Sequence, residues 1–294
     1  MSIIDILNNN KVTISFEVFP PKKETNFDEV EKAARQIADL HPNFMSVTYG
    51  AGGTNNKNTA HLAADIQNKT STPVLAHLTC VSSTKEQVAS VIHTYEDLGI
   101  DSIMALRGDL PKDGKVSPDY THAIDLIRDI KAINPNLCIG GACYPEGHVE
   151  CERQSEDIQH LKEKVDAGLD FLTTQMFFDN DTFYNFMFKI REAGITVPVL
   201  AGIMPITKKR QVARSVALSG ATIPHKFRRM VDRFGDSEET MKQVGIIYAS
   251  EQIIDLISNG INHIHVYSMN RPDIAAGIIQ NLSSIIDYDR IKKL

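Results

Sequence analysis

Short apolar or β-branched runs recur eight times along the chain at a spacing of about 30 residues, each followed by a stretch with helical periodicity. The runs are TISFEVFP (13–20), FMSVTYG (44–50), PVLAHLTC (73–80), SIMALRGD (102–109), LCIGGACYP (137–145), FLTTQMFF (171–178), VPVLAGIMP (197–205) and HIHVYSMN (263–270). Among the intervening stretches, FDEVEKAARQIADL sets Val30, Ala34, Ile37 and Leu40 on one face. STKEQVASVIHTYEDLG opens on a Ser/Thr cap and closes on Gly99 as the residue just past the helix end. This rhythm predicts an α/β chain folded as a (β/α)8 TIM barrel. The runs are apolar through their middles, as strands covered on both faces should be. The 207–259 segment is too long for one helix and predicts two or three helices between the seventh and eighth strands. With no Pro/Gly/Ser-rich linker, residues 1–294 read as one barrel domain. A doubly wound open sheet is the alternative, but no G-x-G-x-x-G follows the first strand, YGAGGT (49–54) has the wrong spacing, and no Walker loop is present.

Composition removes several function classes. The hydrophobic share of 42% and charged share of 23% are ordinary for a soluble protein, and no run reaches the ~18 apolar residues of a membrane helix. The start, MSIIDILNNNK, lacks the basic, apolar and small-residue sections of a signal peptide, so a cytoplasmic setting is expected. A net charge of −6 argues against nucleic-acid binding, and KKR (208–210) and RR (228–229) read as solvated helix faces. Cys80, Cys138, Cys143 and Cys151 form no C-x-x-C pair and are expected reduced. Cys143, His148 and Cys151 are irregularly spaced and lack a fourth ligand, so no metal site is expected.

Loops after the strands build the active site of such a barrel, and here the strand ends are polar. They present Glu17; Thr48 and Tyr49; His77 and Thr79; Arg107, Gly108 and Asp109; Tyr144, Glu146 and His148; Gln175; and Tyr267 followed by Arg271. No strand run carries a lysine for Schiff-base chemistry, and no G-x-S-x-G elbow occurs. The one His-x-His, His263 and His265, lies on the eighth strand, where alternation points both to one side; packing or supporting roles suit them better than metal ligation. Many hydrogen-bonding groups with few nucleophiles suit a large organic cofactor that supplies the reactive atom. A metal-dependent hydrolase using His77, His148, His263 and His265 is the competing class, and it requires a bound metal.

At these strand ends the chain resembles the methylenetetrahydrofolate reductase family, flavoproteins that make 5-methyltetrahydrofolate. The resemblance rests on SFEVFPPK (15–22), FMSVTYGAGG (44–53), AHLTC (76–80), ALRGDLP (105–111), YPEGH (144–148), LKEKVDAG (161–168), TTQMFFD (173–179), GIMPI (202–206) and YSMNR (267–271), in the family's order. It implies a barrel with non-covalent FAD, NADH or NADPH as co-substrate, ping-pong hydride transfer to a folate, and a homo-oligomer. The chain ends soon after the barrel, which resembles the short bacterial form without a regulatory domain. A second reading within the same fold keeps the flavin but takes electrons from a partner protein.

The resemblance also implies roles. Glu17 matches the general acid that protonates a ring nitrogen of methylenetetrahydrofolate and helps the ring open to an iminium ion. That work needs some protonated carboxyl near neutral pH, so burial beside Phe16 and Phe19 is expected. Asp109 matches the aspartate at the pterin and flavin, Gln175 the glutamine at the folate ring, Arg271 the arginine on the folate tail, and Gln211 a further substrate contact. For FAD the matching residues are Thr48, His77, Arg107, Gly108, Asp109, Tyr144, His148, Asp157, His160 and Lys164, with Tyr120 and Thr121 at the start of the helix after strand four. Arg107 and Lys164 would supply positive charge for the pyrophosphate. Asp157 and Lys164, seven apart, share a helix face, although without the resemblance both read as solvated charges. Ser215 departs from the family: enteric members carry an aromatic residue there, and losing it removes a stacking surface worth roughly 0.5–1.5 kcal/mol.

Overall fold

The computed structural model describes residues 1–21, 26–49, 56–110 and 116–291. Lys22, the glycines after Tyr49 in YGAGGT, and Pro111 of ALRGDLP lie outside the described residues. The strands are β1 (Thr13–Val18), β2 (Phe44–Val47), β3 (Val74–Thr79), β4 (Ser102–Leu106), β5 (Cys138–Cys143), β6 (Phe171–Thr174), β7 (Val199–Ile203) and β8 (His263–Val266). All pair in parallel in chain order and close into a TIM barrel through β1 and β8, with Thr13 opposite His263 and Ser15 opposite His265. Each strand is shorter than its apolar run. In β1 the ladder stops before Pro20 and Pro21, which have no N–H to donate.

Helices cover the outside. They are α1 (Ile3–Asn9), α2 (Phe27–Ala38), α3 (Asn56–Thr70), α4 (Lys85–Asp97), α5 (Ala123–Ile133), α6 (Gln154–Asp166), α7 (Asn180–Glu192), α8 (Lys209–Ser219), α9 (His225–Phe234), α10 (Glu238–Ser258) and α11 (Pro272–Ile291). Three of them, α8 to α10, fill the long stretch between β7 and β8. Thr84 and Gln87 form a capping box on α4, and Gly99 follows that helix with φ +70°. On α2, Ala34, Ile37 and Ala38 are buried, while Val30 and Leu40 lie partly buried at its edges. No helix among the described residues is long and apolar enough to cross a membrane.

Strand alternation sorts the side chains. Ile14, Phe16 and Val18 of β1 pack outward into the core beneath the helices. Thr13, Ser15 and Glu17 therefore face the barrel interior. The lowest inward layer is mostly apolar, formed by Phe44, Leu75, Met104, Cys138, Phe171 and Leu200. Helix α1 plugs it from below with Ile3, Ile6 and Leu7. Ser2 and Asp5 cap α1, and the Ile3 N–H donates to Ser102 Oγ at 3.1 Å. Burying each plug side chain contributes about 1.5–3 kcal/mol, so this end of the barrel is closed and stabilising. The opposite end is left open.

Two inward positions must lack a side chain. A Cβ on Gly140 would fall 2.5 Å from the Phe171 ring. One on Gly202 would fall 2.3 Å from the Thr174 carbonyl oxygen and 2.8 Å from the Tyr267 hydroxyl. Tyr267 donates to that same carbonyl at 2.6 Å across the space Gly202 leaves. We expect Gly202→Ala to cost about 1–3 kcal/mol in urea unfolding by overpacking this crossing. A cost near zero would contradict the close approach.

Candidate active site

Above the apolar layer the inward-facing positions turn polar, and the first full cluster centres on Glu17. Its Oε2 lies 3.8 Å from His77 Nε2 and 3.8 Å from His265 Nε2, so the carboxyl group sits between two imidazoles. Phe16 points to the other side of β1 and gives Glu17 no apolar company, because neighbouring residues on a strand face opposite ways. Phe19 lies beyond the strand and is fixed through its backbone. Its N–H donates to Asn270 Oδ1 at 2.9 Å, and its carbonyl accepts from Asn270 Nδ2 at 2.8 Å. Ser268 Oγ adds a bond to the Glu17 carbonyl at 2.9 Å. Met269 and Asn270 hold φ of 55° and 53°, a left-handed pair that non-glycine residues adopt at a cost. The bonds across to β1 hold that turn in place.

The two histidines of the eighth strand part company by depth. His263 bonds Thr13 Oγ1 at 3.0 Å low in the barrel, whereas His265 forms part of the cavity floor beside Glu17. His77 is buried, and desolvation pulls its imidazole down to about 4 against the opposing pull of Glu17. At neutral pH His77 is therefore an uncharged ring. Burial likewise pushes the Tyr267 phenol well up, which keeps it a donor to Thr174.

Two adjoining cavities lie at this end of the barrel, the first of them over this floor. The first, of about 450 Å³, is the barrel mouth, lined by Glu17, Thr48, His77, Gly108, Asp109, Gln175 and Gln211 together with Arg214, Ser215, His265 and Tyr267. The second, of about 470 Å³, lies between the ends of β4 and β5 and helices α5 and α6, and includes His122, Glu150, Asp157, His160 and Lys164. Leu106, Arg107, Ala142, Tyr144 and His148 line both, so the two form one bent trough. Asp157, His160 and Lys164 do share the trough-facing side of α6.

Charge is arranged unevenly along the trough. Lys164 is enclosed, its Nζ donating to the Ala142 carbonyl at 3.0 Å, and desolvation holds its ammonium below the usual lysine range. Asp157 is pushed up by burial, and one of its oxygens accepts the His148 N–H at 3.2 Å. Burial also lowers the His148 imidazole and raises the Tyr144 phenol to about 12; the two rings meet edge to face at 4.6 Å. Arg107 is held by Glu150 in a fork of 2.6 and 2.8 Å. Gln211 spends its amide oxygen on the backbone N–H groups of Thr207 and Lys208, at 2.8 and 2.9 Å, leaving its NH2 end for the cavity. Ser215 is buried in the mouth wall.

Four residues expected at the site lie elsewhere. Tyr120 is buried in the core beneath the helices and donates to Asp129 at 2.8 Å, and Thr121 is an exposed residue whose N–H bonds Asp125. Helix α5 begins at Ala123, so His122 and Ala123 take the trough wall instead. Arg271 is outside both cavities in a two-bond ion pair with Asp273, at 2.9 and 2.7 Å. Glu146 turns away to accept the Thr222 N–H at 2.9 Å. His122, Glu150 and Arg214 are trough residues that no sequence pattern singled out; a basic residue one turn after Gln211 was the available hint for the last. Among the described residues, no group of three or more His, Cys, Asp or Glu could hold a metal ion.

A family model for methylenetetrahydrofolate reductase matches residues 2–283. The chain belongs to this family. The 5,10-methylenetetrahydrofolate reductase of Escherichia coli K12 is 32% identical over 272 residues, which cover 92% of this chain and 91% of that protein. Methylenetetrahydrofolate reductase (NADH) 1 of Zea mays is 34% identical over 297 residues, 96% of this chain and 50% of that protein. The chain thus spans about half the length of its plant relatives in the methylenetetrahydrofolate reductase family. Among solved structures, an uncharacterized protein from Clostridium thermocellum that binds two copies of 5-methyl-5,6,7,8-tetrahydrofolic acid superposes with a TM-score of 0.65 at 15% identity, covering 98% of each chain, which shows the shared barrel.

His77 makes the site pH-sensitive in a defined direction. Its folded value of about 4 lies below the ordinary 6.5, so between those values the unfolded chain binds more protons. Its contribution to stability is complete above pH 6.5 and is lost as pH falls toward 4, with a slope of up to about 1.4 kcal/mol per pH unit. Urea midpoints measured across that window should fall less steeply in His77→Asn than in the parent chain. Identical slopes would show that His77 is not buried as a neutral ring.

Proposed function

We propose that this chain reduces 5,10-methylenetetrahydrofolate to 5-methyltetrahydrofolate in a ping-pong cycle, with non-covalent FAD and with NADH or NADPH as electron source. The observation that carries the reading is the bent trough, with a carboxyl group on the floor of one arm and an enclosed ammonium on the wall of the other. Family membership and the names of relatives that align with 91–93% of their own length support it. The same proposal has residues 1–294 forming one barrel domain that acts in the cytoplasm as a homo-oligomer.

The residues present fit FAD. Lys164 is a desolvated cation with a carbonyl as its hydrogen-bond acceptor, a setting that an anionic phosphate would relieve. Arg107 can add a second cation on sharing or exchanging Glu150. Thr48, His77, Gly108, Tyr144 and His148 line the arm where a flat ring system would lie, with Asp157 and His160 along the other. Bound there, FAD supplies the hydride that the protein's own side chains cannot. Tyr120 and Thr121 have no part in this arrangement.

The chain's own groups do the positioning and the proton work. Asp109, on the exposed rim, can accept two hydrogen bonds from an aminopyrimidine edge, and Gln175 can both donate and accept at the same ring. Glu17 gives its proton to a ring nitrogen of the substrate, which lets the one-carbon ring open to an iminium ion that accepts hydride. The NH2 of Gln211 faces the same space. Arg271 reaches a tail carboxylate only by giving up Asp273, whereas Arg214 on the mouth wall is available without that exchange.

Stopped-flow traces of Glu17→Gln should keep flavin reduction by NADH or NADPH within about twofold of the parent while folate reduction falls roughly 10²-fold or more. Equal losses in both half-reactions would remove Glu17 as the acid. Lys164→Met should weaken FAD roughly tenfold or more, the scale of one charge-assisted bond, and leave riboflavin, which has no phosphate, unchanged. Equal weakening of both ligands would place the phosphates elsewhere.

A further inference from the structure

His265 is almost wholly enclosed in the barrel, and the structure gives each of its ring nitrogens a different neighbour. Ser15 Oγ lies 2.8 Å from Nδ1 and donates its own hydrogen to the Ile264 carbonyl at 3.1 Å. A hydroxyl has one hydrogen to give. With that hydrogen on the Ile264 carbonyl, the one between Ser15 and His265 belongs to Nδ1, and Nε2 is the basic nitrogen of the neutral ring. That nitrogen accepts from Ser46 Oγ at 3.3 Å, and Glu17 Oε2 lies next nearest at 3.8 Å, so the Glu17 carboxyl group can share a proton there only by displacing the Ser46 hydroxyl.

The other titratable groups around His265 do not compete for a proton at Nε2. Tyr267, whose ring meets His265 edge-on at 5.2 Å, has its hydroxyl committed to Thr174. His77 approaches Glu17 from β3 but is held uncharged by burial. His263 lies two residues lower on β8, against Thr13. Phe44 flanks the ring in a stacked orientation at 6.3 Å, and β7 presents Ala201, Gly202 and Ile203, none of which titrates.

We propose that His265 is a positioning residue for the acid's proton: its Nε2 lone pair shares the proton of the Glu17 carboxyl group, so the two side chains store it together. The inference rests on the reading of Glu17 as the group that protonates the substrate. The 3.8 Å separation exceeds a hydrogen bond, so sharing the proton requires the Glu17 side chain to move toward Nε2. In the transfer, the O–H bond of Glu17 breaks as an N–H bond forms on the substrate. Solvent then returns one proton to the pair, either at Oε2 or at Nε2, and the Nδ1–H bond to Ser15 stays intact throughout. Ser15 acts at one remove by fixing which nitrogen is basic.

Two measurements test this. In the folate half-reaction, His265→Gln, whose amide cannot take up a proton, should move the basic limb of the pH profile down by about one pH unit or more. Ser15→Ala should move it the same way by less. The profile of flavin reduction by NADH or NADPH should not move in either variant. Separately, 15N spectra of the histidine rings, taken at a pH above the basic limb, should show the His265 signal, identified by its loss in His265→Gln, with Nδ1 protonated and Nε2 bare. Profiles that superpose on the parent after scaling, or a ring protonated on Nε2 instead, would overturn the role. A parent protein that binds FAD yet never reduces methylenetetrahydrofolate would sink the proposed function instead, and the ring spectra would still decide the tautomer.

Discussion

Glu17 meets His265 because β8 pairs with β1 in one register, Ser15 opposite His265. That seam joins residues about 250 positions apart, and the principal contacts of the reactive corner cross it or depend on it. The Ser15–His265 bond, the Ser268 bond to the Glu17 carbonyl and the paired bonds between Asn270 and Phe19 all tie the last strand to the first. A shift of one residue would turn Glu17 out into the apolar layer beneath the helices and bring Phe16 or Val18 into the interior. The left-handed turn at Met269 and Asn270 is tolerated because these bonds hold it from the other side. The contacts that close the barrel are therefore the ones that fix the place of Glu17.

Depth along the barrel then divides stability from chemistry. The lower inward layer is mostly apolar and sealed by α1, while the layers above bury serines, threonines and histidines that bond one another or the backbone. Thr174 illustrates the economy of this: its hydroxyl accepts the Gly202 N–H at 2.8 Å, and its carbonyl accepts the Tyr267 hydroxyl. Buried polar groups satisfied in this way are rigid rather than costly. Lys164 and Asp157 remain desolvated in the side arm of the trough, each displaced from its ordinary ionisation in the direction burial dictates. Under the proposed function, that electrostatic cost is what a bound anionic ligand would relieve.

All eight strands were legible because short apolar runs separated by period-3.6 stretches leave little else for a chain of this length to do. The alternation within them also fixed that His263 and His265 share a face. It did not give their depth, and depth makes one a neighbour of Thr13 and the other of Glu17. Helix α1 escaped notice: at seven residues it carries too few turns for periodicity, and its role as a plug depends on a layer contributed by several distant strands. Phe16 beside Glu17 was inferred from sequence adjacency, which on a strand means opposite faces. Arg271 and Asp273, two apart, close an ion pair that no pattern announces. Asp157 and Lys164 look like solvent charges by composition, and the family motifs alone set them at the site; the fold explains why, since α6 turns that face toward the ends of β4 and β5.

The central claim is that one flavin lies in the bent trough and passes electrons from a nicotinamide to a folate above Glu17. An anaerobic titration of the purified parent chain, followed by its visible flavin absorbance, tests this directly. The account predicts one FAD per chain, bleached by NADH or NADPH and restored stoichiometrically by 5,10-methylenetetrahydrofolate, with 5-methyltetrahydrofolate as product. A colourless protein carrying stoichiometric zinc would contradict it, as would a bound flavin that the nicotinamides leave oxidised.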